Sequence, residues 1–471
     1  MPAGLTDLLH DATVIHRLVD FMDEYCRGQE RSQTYADASG EFFKYVENLS
    51  AGIKQELTSQ VRRANRFPNR LPFLRSNMWT LKNYLRMLHV LIKPAADAHA
   101  LSTPAPLVDL ATDQLQSVRS MRGSRVVVLL TSEFMYFQRP HTEIKDQARI
   151  IEGFIPNANF PHKLGFIELP YTQGSSFFTN LAIYHEIGHF VYEELSNSDP
   201  PNPGFSRLRS SIARSVNRVF GAGRRDPQSS AILLEIIENW TQEIFCDLFA
   251  IRLVGPAFSF SFIEILGMLG SLSRSSAKTF NPTHPAPAFR LAEHLEMLRG
   301  DSWWDAISNV NPEQKKVLER LAKLPRSTYR FFLDERHSGP PVLVEEFLNA
   351  VAPEMRKLVR EITARSASSA ERFRKDREAV EECLLAGLVP HSRSTVPLNP
   401  ISVINAAFLF YLTSLPELIK KFEKPEVRTD VEVYSEWTKR LEMWTMKAID
   451  DSRLEERFRK LNGVNHGAHK S

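Results

Sequence analysis

Three residues in "NLAIYHEIGHFVYEEL" (180–195) have the types and spacing for metal chemistry: His185, Glu186 and His189. On a helix, residues four apart lie one turn apart, so both imidazoles project in the same direction. That arrangement suits two nitrogen ligands on one zinc ion, each about 2.0–2.1 Å from it. Glu186 stands beside His185 and can reach a metal-bound water without ligating the metal. Together they make the pattern His-Glu-x-x-His. The competing reading is a pair of surface or hydrogen-bonded histidines, and a third ligand decides between the two.

"NWTQEIFCDLFA" offers that ligand, with Glu243 and Asp247 one turn apart and Trp240 one turn before them. A carboxylate buried on such a helix is costly unless paired or bound to metal. Glu243 as third ligand leaves the fourth zinc position open, as a catalytic site requires. Asp247 is then placed to accept the free ring N–H of a ligand histidine. Glu235 and Glu238 compete for the ligand role but lack an acid four residues downstream, where Asn239 and Gln242 stand. The alternative makes Glu243 and Asp247 exposed acids on an amphipathic helix. Cys246 reads as a core residue turned away from their stripe. Further on, "NPTHPAPAFRLAEHL" presents His284 in a proline-stiffened turn and Arg290 six residues later. Such a pair beside zinc can stabilise the oxyanion of a tetrahedral intermediate. A structural turn with an arginine salt bridge explains the same residues.

These groups need elements to hold them. Phe177, Leu181, Tyr184, Gly188, Val191 and Leu195 form an apolar stripe at helical spacing, with Ser175 or Ser176 as cap. Ile237, Ile244, Leu248 and Ile251 give "AILLEIIENWTQEIFCDLFAIRLV" (231–254) its own buried face. "RVVVLLTSEFMYF" (125–137) and "LGFIELP" (164–170) are rich in β-branched and aromatic residues and read as strands. As an edge strand above the cleft, Gly165 to Leu169 could pair with an extended peptide; a buried strand ending at Pro170 is the alternative. Helical periodicity dominates before residue 120 and after residue 301. The tail "NGVNHGAHKS" reads as disordered.

Composition narrows the class. A chain of 471 residues with 43% hydrophobic and 24% charged content is globular in character. Fifty-nine basic against 56 acidic residues, a net charge of +3, create no global field for nucleic acid or an anionic membrane. A local run of Arg207, Arg209, Arg214, Arg218, Arg224 and Arg225 could contact phosphates, although a solvated face is the commoner origin of such a run. The three cysteines are scattered and form neither a disulfide framework nor a metal knuckle, which points to a reducing, cytoplasmic setting. The N-terminus lacks the pattern of a signal peptide. "ISVINAAFLFYLTSLPELIKKF" (401–422) is interrupted by Asn405 and Pro416, short of the roughly 20 apolar residues a bilayer needs, so it reads as a core helix.

"HEIGH", "EIFCD" and "THPAPAFR", in this order, resemble the gluzincin metallopeptidases. Within that group they look most like the CAAX prenyl endopeptidases and their bacterial heat-shock relatives. That family carries His-Glu-x-Gly-His, Glu-x-x-Ala-Asp, and a Thr-His-Pro segment with arginine six residues after its histidine. The resemblance covers about 175–295. It implies zinc on His185, His189 and Glu243, with Glu186 as catalytic base and Asp247 supporting a ligand. His284 and Arg290 would contact the transition state. Cys246 replaces the family's usual alanine, and Ala286 stands where a second proline often occurs. The spans of the membrane-embedded members are missing, which points away from prenylated membrane substrates.

The expected fold is α+β and predominantly helical: a zincin-like core (121–300) with an active-site helix pair and a small sheet. Helical regions 1–120 and 301–471 flank it. The expected function is zinc-dependent hydrolysis of a protein or peptide, with no membrane partner and a nucleic-acid role ranked behind. The rival is a zinc-binding sensor or regulatory protein, its helical flanks docking a protein partner.

Overall fold

The computed structural model describes residues 5–30, 38–100, 104–131, 137–139, 141–153, 155, 159–161, 163–170, 176–220, 227–268, 281–308, 316, 319, 330–331, 342–392, 394, 396–423 and 430–461. Among the described residues it is predominantly helical, with a three-stranded sheet and a short two-stranded one, an α+β chain. Arg224, Arg225, Ser175 and the tail after 461 lie outside the described residues.

The chain divides into two compact units whose boundaries differ from the three regions expected. The first comprises Met1–Thr103 and Gly123–Ser175; the second comprises Pro104–Arg122 and Ser176–Ser471. The compact units change over between Thr103 and Pro104, between Arg122 and Gly123, and between Ser175 and Ser176. The strands join the N-terminal helices, and the C-terminal helices join the site. Period changes mark where secondary structure switches, but burial decides which elements share a core.

In the first unit, helices α1 (Leu5–Glu30), α2 (Ala38–Arg66) and α3 (Leu71–Ala100) pack with a sheet of β1 (Arg125–Thr131), β2 (Phe137–Arg139) and β3 (Leu164–Pro170). Their shared core includes Leu49, Leu88, Val127 and Phe166. β3 is the central strand, parallel to β1 and antiparallel to β2. Phe166, Ile167 and Glu168 are paired on both sides, so β3 has no free edge there for a peptide. The edge-strand expectation fails because the short β2, too brief to stand out in the sequence, occupies that edge.

The second unit contains α4 (Ala105–Ser117) and, after a 3₁₀ turn at Thr179–Ala182, α6 (Ile183–Ser196), numbering as α5 the first unit's helix His141–Glu152. It continues with α7 (Pro203–Phe220), α8 (Pro227–Val254), α9 (Pro256–Met268), α10 (Pro287–Gly300) and α11 (Trp303–Ser308). A two-residue hairpin (Arg330–Phe331 with Val342–Leu343) precedes the helices Val344–Ile362, Ala370–Leu385, Pro400–Thr413, Leu415–Phe422 and Asp430–Leu461. Helices α8 and α9 meet at Gly255, whose φ of +82° only glycine adopts without strain. Pro256 then opens α9 with a preset φ.

Among the described residues no single helix is long and apolar enough to cross a membrane. Pro400–Thr413 and Leu415–Phe422 reach that threshold only together, across a 71° bend. Residues 400–410 are all buried in this unit. Asn405 donates to the Val254 carbonyl at 2.6 Å and accepts from the Ala257 N–H at 2.9 Å, satisfying the polar backbone at the α8–α9 joint.

Candidate metal centre

Helices α6 and α8 cross where Gly188 meets Cys246. A Cβ on Gly188 would lie 2.8 Å from Cys246 Cα, so only glycine permits this approach. The crossing presses the His185–His189 face of α6 onto the Glu243–Asp247 face of α8. No serine caps α6: its N-cap position is Ala182. Instead, Glu442 of the helix Asp430–Leu461 accepts the Phe177 N–H at 2.9 Å, the Phe178 N–H at 3.3 Å and the Ser176 hydroxyl at 2.9 Å. The capping group therefore comes from a residue more than 260 positions downstream.

Three side chains converge at this crossing. His185 Nε2 and His189 Nε2 are 3.2 Å apart. Glu243 Oε2 is 3.3 Å from His185 Nε2, and Oε1 is 3.4 Å from His189 Nε2. Ligands about 2.05 Å from a common centre at tetrahedral angles lie about 3.3 Å from one another. Glu243 is buried and its Oε2 has no aligned hydrogen bond. A buried carboxylate that turns one oxygen to each of two imidazole nitrogens at this spacing fits a divalent cation.

Asp247, fully buried, orients the cluster. Its Oδ1 is 2.9 Å from His185 Nδ1, leaving Nε2 to face the other ligands. Arg290 on α10 donates Nε–H to Asp247 Oδ2 at 2.6 Å and Nη2–H to Oδ1 at 2.7 Å, and its Nη1 is 3.2 Å from Glu243 Oε2. Its guanidinium also lies 4.5 Å over the Phe262 ring. Arg290 is buried, with two of its N–H groups on Asp247 and Nη1 beside Glu243, so its contacts here are to these two carboxylates.

The electrostatics follow from this packing. Burial opposes ionisation of Glu243 and Asp247, but Arg290 and the histidines outweigh it and hold both carboxyls well below the usual range. Burial likewise opposes a charge on His185, yet Glu243 and Asp247 raise its pKa to about 10. Glu186, 5% exposed, is pushed upward by burial, with His189 and His185 pulling the other way. Its basicity thus moves toward the range useful to a general base.

His284 stands on the open side. Its turn is built on Asn281, whose Oδ1 accepts the Thr283 N–H at 2.8 Å and the Thr283 hydroxyl at 2.7 Å. Trp240 Nε1–H on α8 donates to the Asn281 carbonyl at 2.9 Å and ties the turn to the helix carrying Glu243. His284 Nε2 lies 3.6 Å from Glu243 Oε1, with the side chain 47% exposed. Burial of the remainder lowers its pKa, and its Nδ1 lies 2.7 Å from the Thr283 hydroxyl oxygen, which leaves Nε2 as the edge toward the centre.

All seven residues singled out in the sequence, His185, Glu186, His189, Glu243, Asp247, His284 and Arg290, belong to this one neighbourhood. The competitors do not. Glu238 accepts the Tyr192 hydroxyl at 2.9 Å, and Glu235 is exposed. Cys246 requires a correction. It is buried as expected, but its Sγ lies within 4.8 Å of ligand atoms of both His185 and His189, so the three form a group able to hold a metal. Two contributors escaped the sequence reading. Glu442 had no local signal. His294 did have one, its position one turn after Arg290 in "FRLAEHL".

The chain matches no family model, no curated protein and no solved structure.

Proposed function

We propose that the second unit is a zinc-dependent metallopeptidase with a zincin-like core of the gluzincin type, hydrolysing peptide bonds in a protein or peptide. The observation that carries the reading is the convergence of His185 Nε2 and His189 Nε2, 3.2 Å apart, on the Glu243 carboxylate, whose Oε2 lies 3.3 Å from the first and whose Oε1 lies 3.4 Å from the second. These residues would hold the metal; two imidazoles and a carboxylate suit zinc and leave a position open. A bound zinc ion supplies Lewis acidity, lowering the pKa of water toward about 7 and polarising a carbonyl.

The chain's own residues do the rest. Glu186 takes the proton of the attacking water and returns it to the leaving amine. His284, exposed beside Glu243 with Nδ1 against the Thr283 hydroxyl, turns Nε2 toward the developing oxyanion and serves it as a donor when that nitrogen carries a proton. Arg290 acts through Asp247 and Glu243, keeping both ionised and in place. Three free, buried cysteines fit a reducing cytoplasmic setting.

One observation favours a second reading, a zinc-binding sensor or regulatory protein. Cys246 Sγ is close enough to His185 and His189 to complete a closed four-ligand site in place of an open one. Glu186→Gln separates the two. In the peptidase, wild type cleaves a peptide library in a chelator-sensitive way, and the variant keeps stoichiometric zinc but loses turnover. Zinc binding without cleavage by wild type would sink the peptidase and favour the sensor. Cobalt substitution adds a check, since a sulfur-to-cobalt absorption band appears only if Cys246 ligates.

A further inference from the structure

Asp247 and His294 lie outside the ligand triangle, yet they complete its support. An ionised carboxylate offers about four lone-pair positions to donors. Arg290 fills two of those on Asp247, through Nε–H to Oδ2 and Nη2–H to Oδ1. His185 Nδ1–H fills a third at Oδ1. The fourth, on Oδ2, faces His294 Nε2 at 3.2 Å.

His294 is completely buried, with the rings of Phe262 and Phe258 at 5.1 and 5.6 Å. In this ring orientation neither nitrogen makes an aligned hydrogen bond. Leaving a buried imidazole unsatisfied is costly, and a phenylalanine would fill the same aromatic slot without that cost. The polar edge toward Asp247 is what an imidazole adds. Arg290 and His294 are one turn apart on α10, so a single helix face delivers both donors to one carboxylate.

We propose that His294 is a positioning residue of the metal centre: its Nε2–H closes the last side of Asp247, which keeps Oδ1 on His185 Nδ1 and His185 Nε2 aimed at the metal. The inference rests on the reading of His185, His189 and Glu243 as ligands and adds a residue to it. Without His294, Oδ2 is held by Arg290 alone, and the carboxylate can turn into the guanidinium plane and draw Oδ1 off His185. Packing couples the same groups. The Phe258 ring lies parallel to that of His185, at 6.4 Å and an interplanar angle of 5°, and also borders His294.

The test compares full-length wild type with His294→Phe, which keeps the aromatic packing, and His294→Gln, which returns a donor near Nε2. Zinc affinity is measured by competition with a chromophoric chelator, and the His185 Nδ1–H signal by NMR of protein labelled with ¹⁵N-histidine. His294→Phe is expected to bind zinc about 10–100-fold more weakly, the usual effect of losing an outer-shell partner, and to lose the His185 signal to exchange. His294→Gln is expected to restore most of both. Wild-type affinity and an intact signal in His294→Phe would reduce His294 to packing and overturn the proposal. So would a glutamine variant no better than the phenylalanine one. Should His294→Phe fail to fold, His294→Met against His294→Gln gives the same comparison of donor with no donor at similar length. Failure of the ligand reading looks different: wild type itself would take up no stoichiometric zinc, which overturns both.

Discussion

At the scale of residues, the centre is a set of charges that are tolerable only together. Arg290 is buried against Asp247 and Glu243, and His185 is buried against the same two carboxylates. Removing one partner of such a group strands the others in a low-dielectric interior. Asp247→Asn should therefore destabilise the metal-free protein by about 3–5 kcal/mol, read by denaturant unfolding in chelator. It should also weaken zinc binding. A variant that unfolds like wild type would mean that Arg290 and His185 find solvent instead. Seven of the residues that meet here stood out in the sequence by type and spacing alone, whereas Glu442 and His294 did not. What could not be read there was direction. Arg290 looks like an oxyanion donor until its three nitrogens are seen occupied.

At the scale of elements, two close approaches decide the geometry. Gly188 lets α6 lie on α8, and the obstacle to any Cβ there is the Cys246 backbone, 2.8 Å away. Gly188→Ala should cost about 1–3 kcal/mol by forcing the pair apart, and Cys246→Ala should not rescue it, since the nearest atom is Cα. Thermal melts of the single and double variants check this; full rescue would show that the thiol was the obstacle. The second approach is Glu442 beneath the lead-in to α6. Half-buried Glu264 shares its surroundings: burial, then the Glu442 charge, raise its pKa from 4.5 to about 7. The folded state thus holds a proton between pH 4.5 and 7 that the unfolded chain releases. Stability from this group falls as pH rises through that window and is constant above it. Glu264→Gln should raise the melting temperature at pH 8 more than at pH 5, and an equal shift at both would rule out the coupling.

At the scale of the whole molecule, the C-terminal helices belong to the compact unit that holds the candidate metal centre. The helix Asp430–Leu461 supplies Glu442, and its Arg453 binds Asp109 and Asp113 of α4 at 3.0 and 2.8 Å. A chain ending at residue 423 loses both ties. It should lose stoichiometric zinc and a cooperative melt, measured by metal analysis and circular dichroism. Retention of both would restore the expectation of an independent helical flank. The Arg-rich helix α7 keeps its charges on an exposed face, where Arg207 pairs with Glu361 at 2.6 Å.

By itself the sequence determined the chemistry on offer: which side chains stand one helical turn apart, which helices carry them, and that β1 and β3 are strands. Local periodicity and residue type carry that information without reference to the rest of the chain. Only the tertiary structure decided how α6 meets α8, that Cys246 borders the histidines, that β3 is a central strand, and that Glu442 and His294 serve the centre. Those facts depend on which distant surfaces are buried together, and burial across long separations leaves no periodic trace.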